Sequence, residues 1–383
     1  MGSSPRVHGP NRVKEPALTR SHPAPRHGAG AGSAVTVRAP AKVNLHLGVG
    51  PLRPDGYHDV ITVLQAVSLY DDLTATALDP SPQVAADAGD AGDAGDAGGT
   101  QGLIVTVEVT GEGADPAGRG PATTTPDVSI VPTGLDNIAV RAAHLVAQAG
   151  GIASERVHLA LTKGIPVAAG MAGGSADAAA ALVACDALWQ TGLDRATLAE
   201  LAAQLGSDVP FPLAGGTALG TGRGERLTDV LATGEFHWVF ALADGGLSTP
   251  AVYAEFDRLS EGRLRSGPTP ADDVLAALRT GDPRQLGAAL VNDLQPAALR
   301  LRPALRRVLE TGRELGAVGA IVSGSGPTCA FLAAGGTESI ELAASLAGMG
   351  VARAVRRACG PAAGARVVDS PHGADGTRPG DSP

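Results

Sequence analysis

One run constrains this chain more than any other: Pro166-Val167-Ala168-Ala169-Gly170-Met171-Ala172-Gly173-Gly174-Ser175-Ala176-Asp177, followed at once by an Ala/Leu run. Small residues let a ligand approach main-chain N–H groups closely. The helix that starts there has unpaired N–H groups and a positive dipole end, which suit a phosphate. No Gly-Lys-Ser/Thr triplet is present, so the stretch is not a Walker A loop. The alternative is an Ala/Gly-rich connector with Ser175 as N-cap, in a chain that carries 53 glycines.

With 383 residues and 44% hydrophobic content, the chain is long enough for two domains and a sizeable core. A net charge of -9 argues against a nucleic-acid surface. No apolar run is long enough to span a membrane. Cys185, Cys329 and Cys359 show no paired spacing and read as reduced thiols of a cytoplasmic protein. Residues 1–33 are rich in Pro, Gly, Arg and His and lack the apolar stretch of a secretory signal; they are expected to be a disordered tail. Residues 370–383 are expected to be a second one. Ala-Gly-Asp occurs three times over 88–96, inside an acidic insert at about 79–102 that reads as a solvated hairpin loop.

Between these stretches the periodicity is clear. Val35, Val37, Val43, Leu45, Leu47 and Val49 alternate as in a strand, which puts Lys42, Asn44 and His46 on the other face. That face either lines a polar cleft or is open to solvent. Pro54-Asp55-Gly56 marks a turn that presents Tyr57 and His58. A helix is predicted over 135–150 with Asp136 or Asn137 as cap, a strand over Val157–Leu161, and helices from Ser175 to Trp189 and over 194–205. Asp208 follows the last of these, as a candidate base or a turn-satisfying carboxylate. The second half reads as a strand over His237–Ala243, helices at 271–279, 283–290 and 303–315, and a hairpin around Ser323-Gly324-Ser325-Gly326-Pro327-Thr328. A helix over 337–348 and a strand near Ala352–Arg356 end it. This alternation suggests an α+β sandwich, with helices on one face of an antiparallel sheet.

Lys42 and Asn44 on a first strand, the Pro166–Ala178 loop and the Ser323–Thr328 turn together resemble the three motifs of the GHMP small-molecule kinases. The resemblance covers about residues 34–368. Pro40-Ala41-Lys42-Val43-Asn44-Leu45, Asp55-Gly56-Tyr57-His58 and Gly206-Ser207-Asp208-Val209-Pro210 narrow it to the branch whose acceptor is a sugar alcohol carrying a cytidine diphosphate group. The resemblance implies a two-domain α+β fold: an N-terminal ribosomal-protein-S5-domain-2-like unit over 34–226 and a C-terminal ferredoxin-like α/β sandwich over 227–369. It implies ATP as phosphoryl donor, Mg²⁺ with it, and a monomer or weak homodimer with no nucleic-acid or membrane partner.

Carried over residue by residue, Asp208 matches the catalytic base and Lys42 the cation paired with it. Phosphoryl transfer needs mainly alignment and charge stabilisation, which such a pair can supply. The loop residues Pro166, Val167, Ala168, Ala169, Gly170, Met171, Ala172, Gly173, Gly174, Ser175 and Ala176 would cradle ATP, with Lys163 near the nucleotide. Ser175 and Asp177 are the neighbours expected for the metal, although no dedicated metal-ligand set is read. Asn44 would hold the polyol. His58 would bond the base edge, and Tyr57, Thr249 and Tyr253 would complete the substrate pocket. The loop departs from the family by having Ala168, Ala169 and Ala172 where glycine is frequent. An alanine forced to positive φ would be strained there. The alternatives are another GHMP kinase, for a mevalonate-type, homoserine or sugar acceptor, and a non-catalytic nucleotide-binding protein on the same fold.

Overall fold

The computed structural model describes residues 32–79, 102–112, 134, 136–167, 169–261 and 267–368. Both expected tails except Gly32 and Ser33, nearly all of the acidic insert and Ala168 lie outside them. The first half runs β1 (Ala34–Leu52), β2 (His58–Ala77), β3 (Ile104–Gly111), α1 (Ile138–Gly150), β4 (Arg156–Lys163), α2 (Gly173–Trp189), α3 (Arg195–Leu205), α4 (Pro210–Ala214), β5 (Thr217–Thr221) and β6 (Arg226–Asp229). The second half runs β7 (Phe236–Leu242), α5 (Thr249–Ser260), α6 (Asp272–Thr280), α7 (Pro283–Ala289), β8 (Val291–Asn292), α8 (Gln295–Leu301), α9 (Ala304–Glu314), β9 (Gly319–Val322), β10 (Cys329–Ala333), α10 (Gly336–Gly348), β11 (Ala354–Gly360) and β12 (Arg366–Val368).

The first sheet has the order β12-β1-β2-β4-β3, with β5 and β6 continuing from β2. Its pairs are antiparallel except β3 with β4 and β8 with β1. The acidic insert was expected to close a hairpin. The strands on either side of it are not hairpin partners, because β4 lies between β2 and β3. The second sheet has the order β11-β7-β10-β9. Counted along the chain, its strands stand fourth, first, third, second, the βαββαβ arrangement of a ferredoxin-like unit.

β1 alternates as expected, yet it is buried on both faces. Lys42 is 6% exposed, Asn44 4% and His46 2%, so the solvent-facing alternative is excluded. The register of β1 against β2 shifts between Asn44 and His46, an irregularity that re-aims side chains. His46 accordingly leaves its two companions and pairs through Nε2 with the Thr269 carbonyl at 2.9 Å.

α2 is the hub of the first half. Ala176, Ala178, Ala179, Ala180 and Ala181 are fully buried, and the helix packs on α1 and on β1 and β2. A helix without a polar face is a core helix, and the small residues allow that close approach. It begins at Gly173, two residues before Ser175, so Ser175 is not its cap. α1 is capped as expected, with the Asn137 side chain accepting from the Ala139 N–H at 2.8 Å. One core cluster runs from Val37 to Ala358 through both sheets. Between them the buried Trp238 Nε1 donates to Gln65 Oε1 at 3.0 Å.

The loop before α2 rests on a buried ion triad. Lys163 Nζ donates to Asp71 and, at 2.6 Å, to Asp177 Oδ2. Asp71 Oδ1 also accepts from the N–H groups of Gly164 and Ile165, at 2.8 Å each. The end of β4, the loop root and the first turn of α2 are thereby tied to β2. Burial pulls the Lys163 ammonium down, but the two carboxylates outweigh it and the net shift is upward. One ammonium serves two carboxylates. Burial, with the nearby Asp71 charge, pushes the Asp177 carboxyl from 3.8 up to about 8, against the pull of Lys163.

The sign of the linkage follows. A raised carboxyl contributes stability that is complete below its unfolded value and is lost as pH rises through its folded value. The free energy of unfolding of the wild type should therefore fall, relative to Asp177→Asn, as pH rises from about 4 to 8, by up to about 1.4 kcal/mol per pH unit. Urea unfolding of both proteins across that window checks this, and parallel pH curves would refute the assignment.

Candidate active site

The bulged stretch of β1 brings Lys42 and Asn44 to the floor of a cleft. Lys42 Nζ donates to Asn44 Oδ1. Asn44 Nδ2 in turn donates to Thr62 Oγ1 at 3.0 Å, and Thr62 Oγ1 donates to the His46 carbonyl at 2.8 Å. Thr62, on β2, thus fixes the orientation of the Asn44 amide. Burial lowers the Lys42 ammonium from its ordinary value, and the charge of Asp208 acts in the opposite direction.

Two turns close over this pair. Gly170 has φ +69°, and a Cβ there would lie 2.7 Å from the Ser323 carbonyl oxygen, so only glycine fits. Ser323 Oγ donates to the Gly170 carbonyl at 3.3 Å, and the Lys42 N–H donates to the Met171 carbonyl at 3.2 Å. Asn292, on β8, donates through Nδ2 to the carbonyls of Val322 and Gly324, both at 2.8 Å, and holds the second turn in place. Gly324 presses its backbone on the floor: a Cβ there would sit 3.2 Å from both Lys42 Nζ and Asn44 Oδ1.

The glycine loop divides into two sets. Pro166, Ala169, Met171 and Ala176 are buried and Val167 is partly buried, so they anchor the loop in the core. Gly170 and Ala172 line the cleft, Ser175 opens onto its outer part, and Gly174 is exposed. Ala172 stands at φ 60°, the strained position that its sequence suggested, directly before α2. Lys163 lies behind the loop in its ion triad: a Cβ at Gly173 would come 3.5 Å from Nζ. Asp177 faces that ammonium and is 3% exposed.

Asp208 sits in the turn between α3 and α4 and is exposed. It lines two adjoining cavities. The inner, of about 160 Å³, is walled by Lys42, Asn44, Thr62, Ala172 and Gly324. The outer, of about 650 Å³, is walled by Tyr57, His58, Ser175, Ala254 and Asp257. Asp208, Arg223, Thr249 and Tyr253 border both. Thr249 Oγ1 lies 2.8 Å from Ser325 Oγ. Burial, and then the Asp208 charge, pushes the Tyr253 phenol up to about 12, so it stays protonated.

His58 is held from three sides. Its Nδ1 donates to the Gly50 carbonyl at 2.9 Å, Nε2 lies 3.4 Å from Asp257 Oδ2, and the ring packs on Tyr253 with centroids 5.1 Å apart. Tyr57 is 52% exposed at the rim, with the Arg223 guanidinium 4.9 Å above its ring. Lys42, Asn44, Asp208, Tyr57, His58, Thr249 and Tyr253 therefore meet in one cleft. Thr62, Arg223 and Asp257 join them, and Asn292 braces the turn at the cleft, without having been singled out for it. Only Arg223, flanked by Gly222 and Gly224 in a tight turn, and Asn292, next to Asp293 before a helix, carried any local signal. The other two are recognisable only once the strands are paired and α5 is docked.

The geometry has relatives. The family descriptions "GHMP kinases N terminal domain" and "GHMP kinases C terminal" match residues 137–216 and 274–352. A 4-diphosphocytidyl-2-C-methyl-D-erythritol kinase of Nocardia farcinica is 53% identical over 344 residues, 88% of this chain and 97% of that one. Its namesake from Thermobifida fusca is 53% identical over 336 residues, 88% and 99% of the two chains. A crystal structure of 4-(cytidine 5'-diphospho)-2C-methyl-D-erythritol kinase superimposes with a TM-score of 0.61 at 31% identity, covering 85% of this chain and 98% of the other. Homoserine kinase from Cytophaga hutchinsonii superimposes with a TM-score of 0.60 at 16% identity, over 88% and 97% of the chains, a likeness of fold alone.

Proposed function

The chain belongs to the GHMP kinases and, within them, to the 4-diphosphocytidyl-2-C-methyl-D-erythritol kinases, and from that premise we propose its reaction: transfer of the ATP γ-phosphoryl group to the 2-hydroxyl of 4-diphosphocytidyl-2-C-methyl-D-erythritol, in the non-mevalonate route to isoprenoid precursors. The observation that carries this reading is the joining of two cavities at Asp208. One holds Lys42, Asn44 and the glycine loop, and the other holds Tyr57, His58 and Tyr253.

The roles follow from placement. The outer cavity takes the cytidine end, with Tyr57 and Tyr253 offering ring faces. His58 is already fixed by Gly50 and Asp257, so it is pre-organised rather than free to swing. The inner cavity takes the polyol, with Asn44 oriented by Thr62. Asp208 accepts the proton of the 2-hydroxyl as its oxygen bonds to the γ-phosphorus. The bond from that phosphorus to the bridging oxygen breaks, and ADP leaves with the electron pair. Because Asp208 is exposed, its proton has a direct path to water. Lys42 adds positive charge where the transferring group carries negative charge, in a buried place where that charge is little screened.

ATP phosphates meet the start of α2, whose first N–H groups have no partner within the helix. Mg²⁺ takes one or two protein oxygens and otherwise phosphate and water oxygens. The Ser175 hydroxyl, which opens on the same cavity as Asp208, fits that demand, whereas Asp177 is already engaged by Lys163. When bound, the metal offsets the charge of the phosphates.

A smaller acceptor would need no base-stacking pair, which makes Tyr57 and His58 the point of discrimination from the other GHMP kinases. A silent nucleotide binder has no use for Lys42 and Asp208 facing one cavity.

ADP release from Mg-ATP with the cytidyl acceptor, beside mevalonate, homoserine and galactose, tests the reading. Turnover is expected with the cytidyl acceptor alone; turnover confined to another acceptor would displace it. Asp208→Ala should lose at least about a thousandfold in kcat while ATP binding persists, in the upper range for base removal. Unchanged kcat would remove Asp208 from the mechanism. His58→Ala should raise the acceptor KM by about tenfold or more and leave the ATP KM nearly unchanged, as loss of one polar anchor predicts. Equal rises in both constants would contradict its place in base recognition.

A further inference from the structure

Arg223 is the one strongly placed charge of the cleft that the reaction above does not use. It stands at the tip of the turn joining β5 and β6, between Gly222 (φ +74°) and Gly224 (φ +102°). That turn is pinned. The Val60 N–H donates to the Gly222 carbonyl at 2.8 Å, and the Gly224 N–H donates to the Thr221 carbonyl at 3.1 Å. The Arg223 N–H itself donates to Glu225 Oε2 at 2.6 Å. The backbone is therefore fixed, and the side chain is aimed from it over the Tyr57 ring at 4.9 Å.

Its guanidinium makes no ion pair among the described residues. Glu225, the nearest acid in sequence, is taken up by the Arg223 backbone and lies 3.9 Å from Arg226 Nε. Arg38, Arg53, Arg258 and Arg353 each have a carboxylate partner, whereas other exposed arginines such as Arg279 and Arg307 have none among the described residues; what sets Arg223 apart is that it lines the cleft. An unpaired guanidinium lying over an aromatic face keeps N–H groups available for an anion. Lys42 and Arg223 are, among the described residues, the only lysine and arginine that line the two cavities. Lys42 belongs to the inner cavity alone, whereas Arg223 borders both, where the cytidine-side cavity meets the hydroxyl-side one.

We propose that Arg223, steadied on Tyr57, binds the diphosphate of the acceptor substrate and so sets selectivity for a nucleoside diphosphate over a nucleoside. The assignment rests on the substrate reading given above. A molecule with its base beside His58 and its reacting hydroxyl beside Asp208 must pass its two phosphates across the junction that Arg223 borders. The fork geometry of the guanidinium suits two phosphate oxygens, and the Tyr57 stack limits the freedom it loses on binding.

The test compares the full-length wild type with Arg223→Gln and Arg223→Lys. Binding of CDP and of cytidine is measured by calorimetry, and KM for acceptor and for ATP by ADP release. Arg223→Gln should weaken CDP about tenfold and change cytidine less than about twofold, because one charge-assisted pair is lost and the ring contacts remain. The acceptor KM should rise in step with CDP, with the ATP KM steady, and Arg223→Lys should recover part of the loss. Equal weakening of CDP and cytidine would make Arg223 a mere support for Tyr57 and overturn the proposal. So would a rise in the ATP KM in place of the acceptor KM, or no change at all. Wild type that turns over the cytidyl acceptor while Arg223→Gln fails these expectations refutes Arg223 alone. Wild type that neither binds CDP nor uses the cytidyl acceptor refutes the substrate reading, and the Arg223 assignment with it.

Discussion

The cleft depends on two backbones touching. The Gly170 loop and the Ser323–Gly326 turn come from opposite halves of the chain, and they meet because Gly170 puts no side chain against the Ser323 and Gly326 carbonyls, while Ser323 Oγ bonds back to the Gly170 carbonyl. Over that contact lie Lys42 and Asn44, whose polar ends reach within van der Waals distance of where a Gly324 side chain would be. Moving either turn would open the floor of the cleft. The contact is therefore also the way the second sheet reaches the chemistry of the first. Asn292 strengthens it by donating to two buried carbonyls, those of Val322 at the end of β9 and Gly324 in the turn.

Around this contact the charges are sorted by depth. Behind the loop, Lys163 is consumed by two carboxylates and two backbone N–H groups complete the Asp71 site, leaving Asp177 Oδ1 as the one oxygen of the triad's carboxylates without a hydrogen-bond partner among the described residues. In front of it, Lys42 is buried but has only a neutral amide as direct partner, with Asp208 acting at longer range. At the rim, Arg223 is exposed and unpaired among the described residues. A lysine neutralised in the core shapes a loop, whereas one left unneutralised at a cavity wall waits for an anionic partner. The sequence does not distinguish the two, since Lys42 and Lys163 both stand on strands beside small residues.

That difference marks what could be read in advance. Strand alternation in β1, the Asn137 cap and the two turn motifs are local patterns, and local patterns survive folding, whereas the ferredoxin-like second half was legible only through the family resemblance. The convergence of Lys42, Asn44, Asp208, Tyr57 and His58 was legible through the order and chemistry of the motifs. Pairing was not. The crossing of β4 between β2 and β3, the burial of both faces of β1, and the recruitment of Thr62 and Asp257 all depend on which elements dock beside one another. Lys163 shows the same limit: its partners are 92 and 14 residues away, and no short-range signal brings Asp71 to it.

Ala172 shows how the chain tolerates a local conflict. Its φ of 60° lies in the left-handed region, where an L-residue other than glycine is disfavoured by roughly 1–2 kcal/mol. Glycine would remove that strain, but it would also enlarge the freedom of the unfolded loop, an opposing effect of about 0.4–1 kcal/mol. The second offsets about half of the first, so thermodynamic stability alone favours glycine only slightly. What differs is the spread of conformations available once folded. Ala172 borders the inner cavity and is followed by the first N–H groups of α2, so a residue with few alternatives there keeps those donors aimed. With Pro166 and Met171 buried on one side and the 17-residue core helix on the other, the surroundings hold the conformation that the residue itself resists. The strained alanine is thus sustained by the same packing that positions the first turn of the helix.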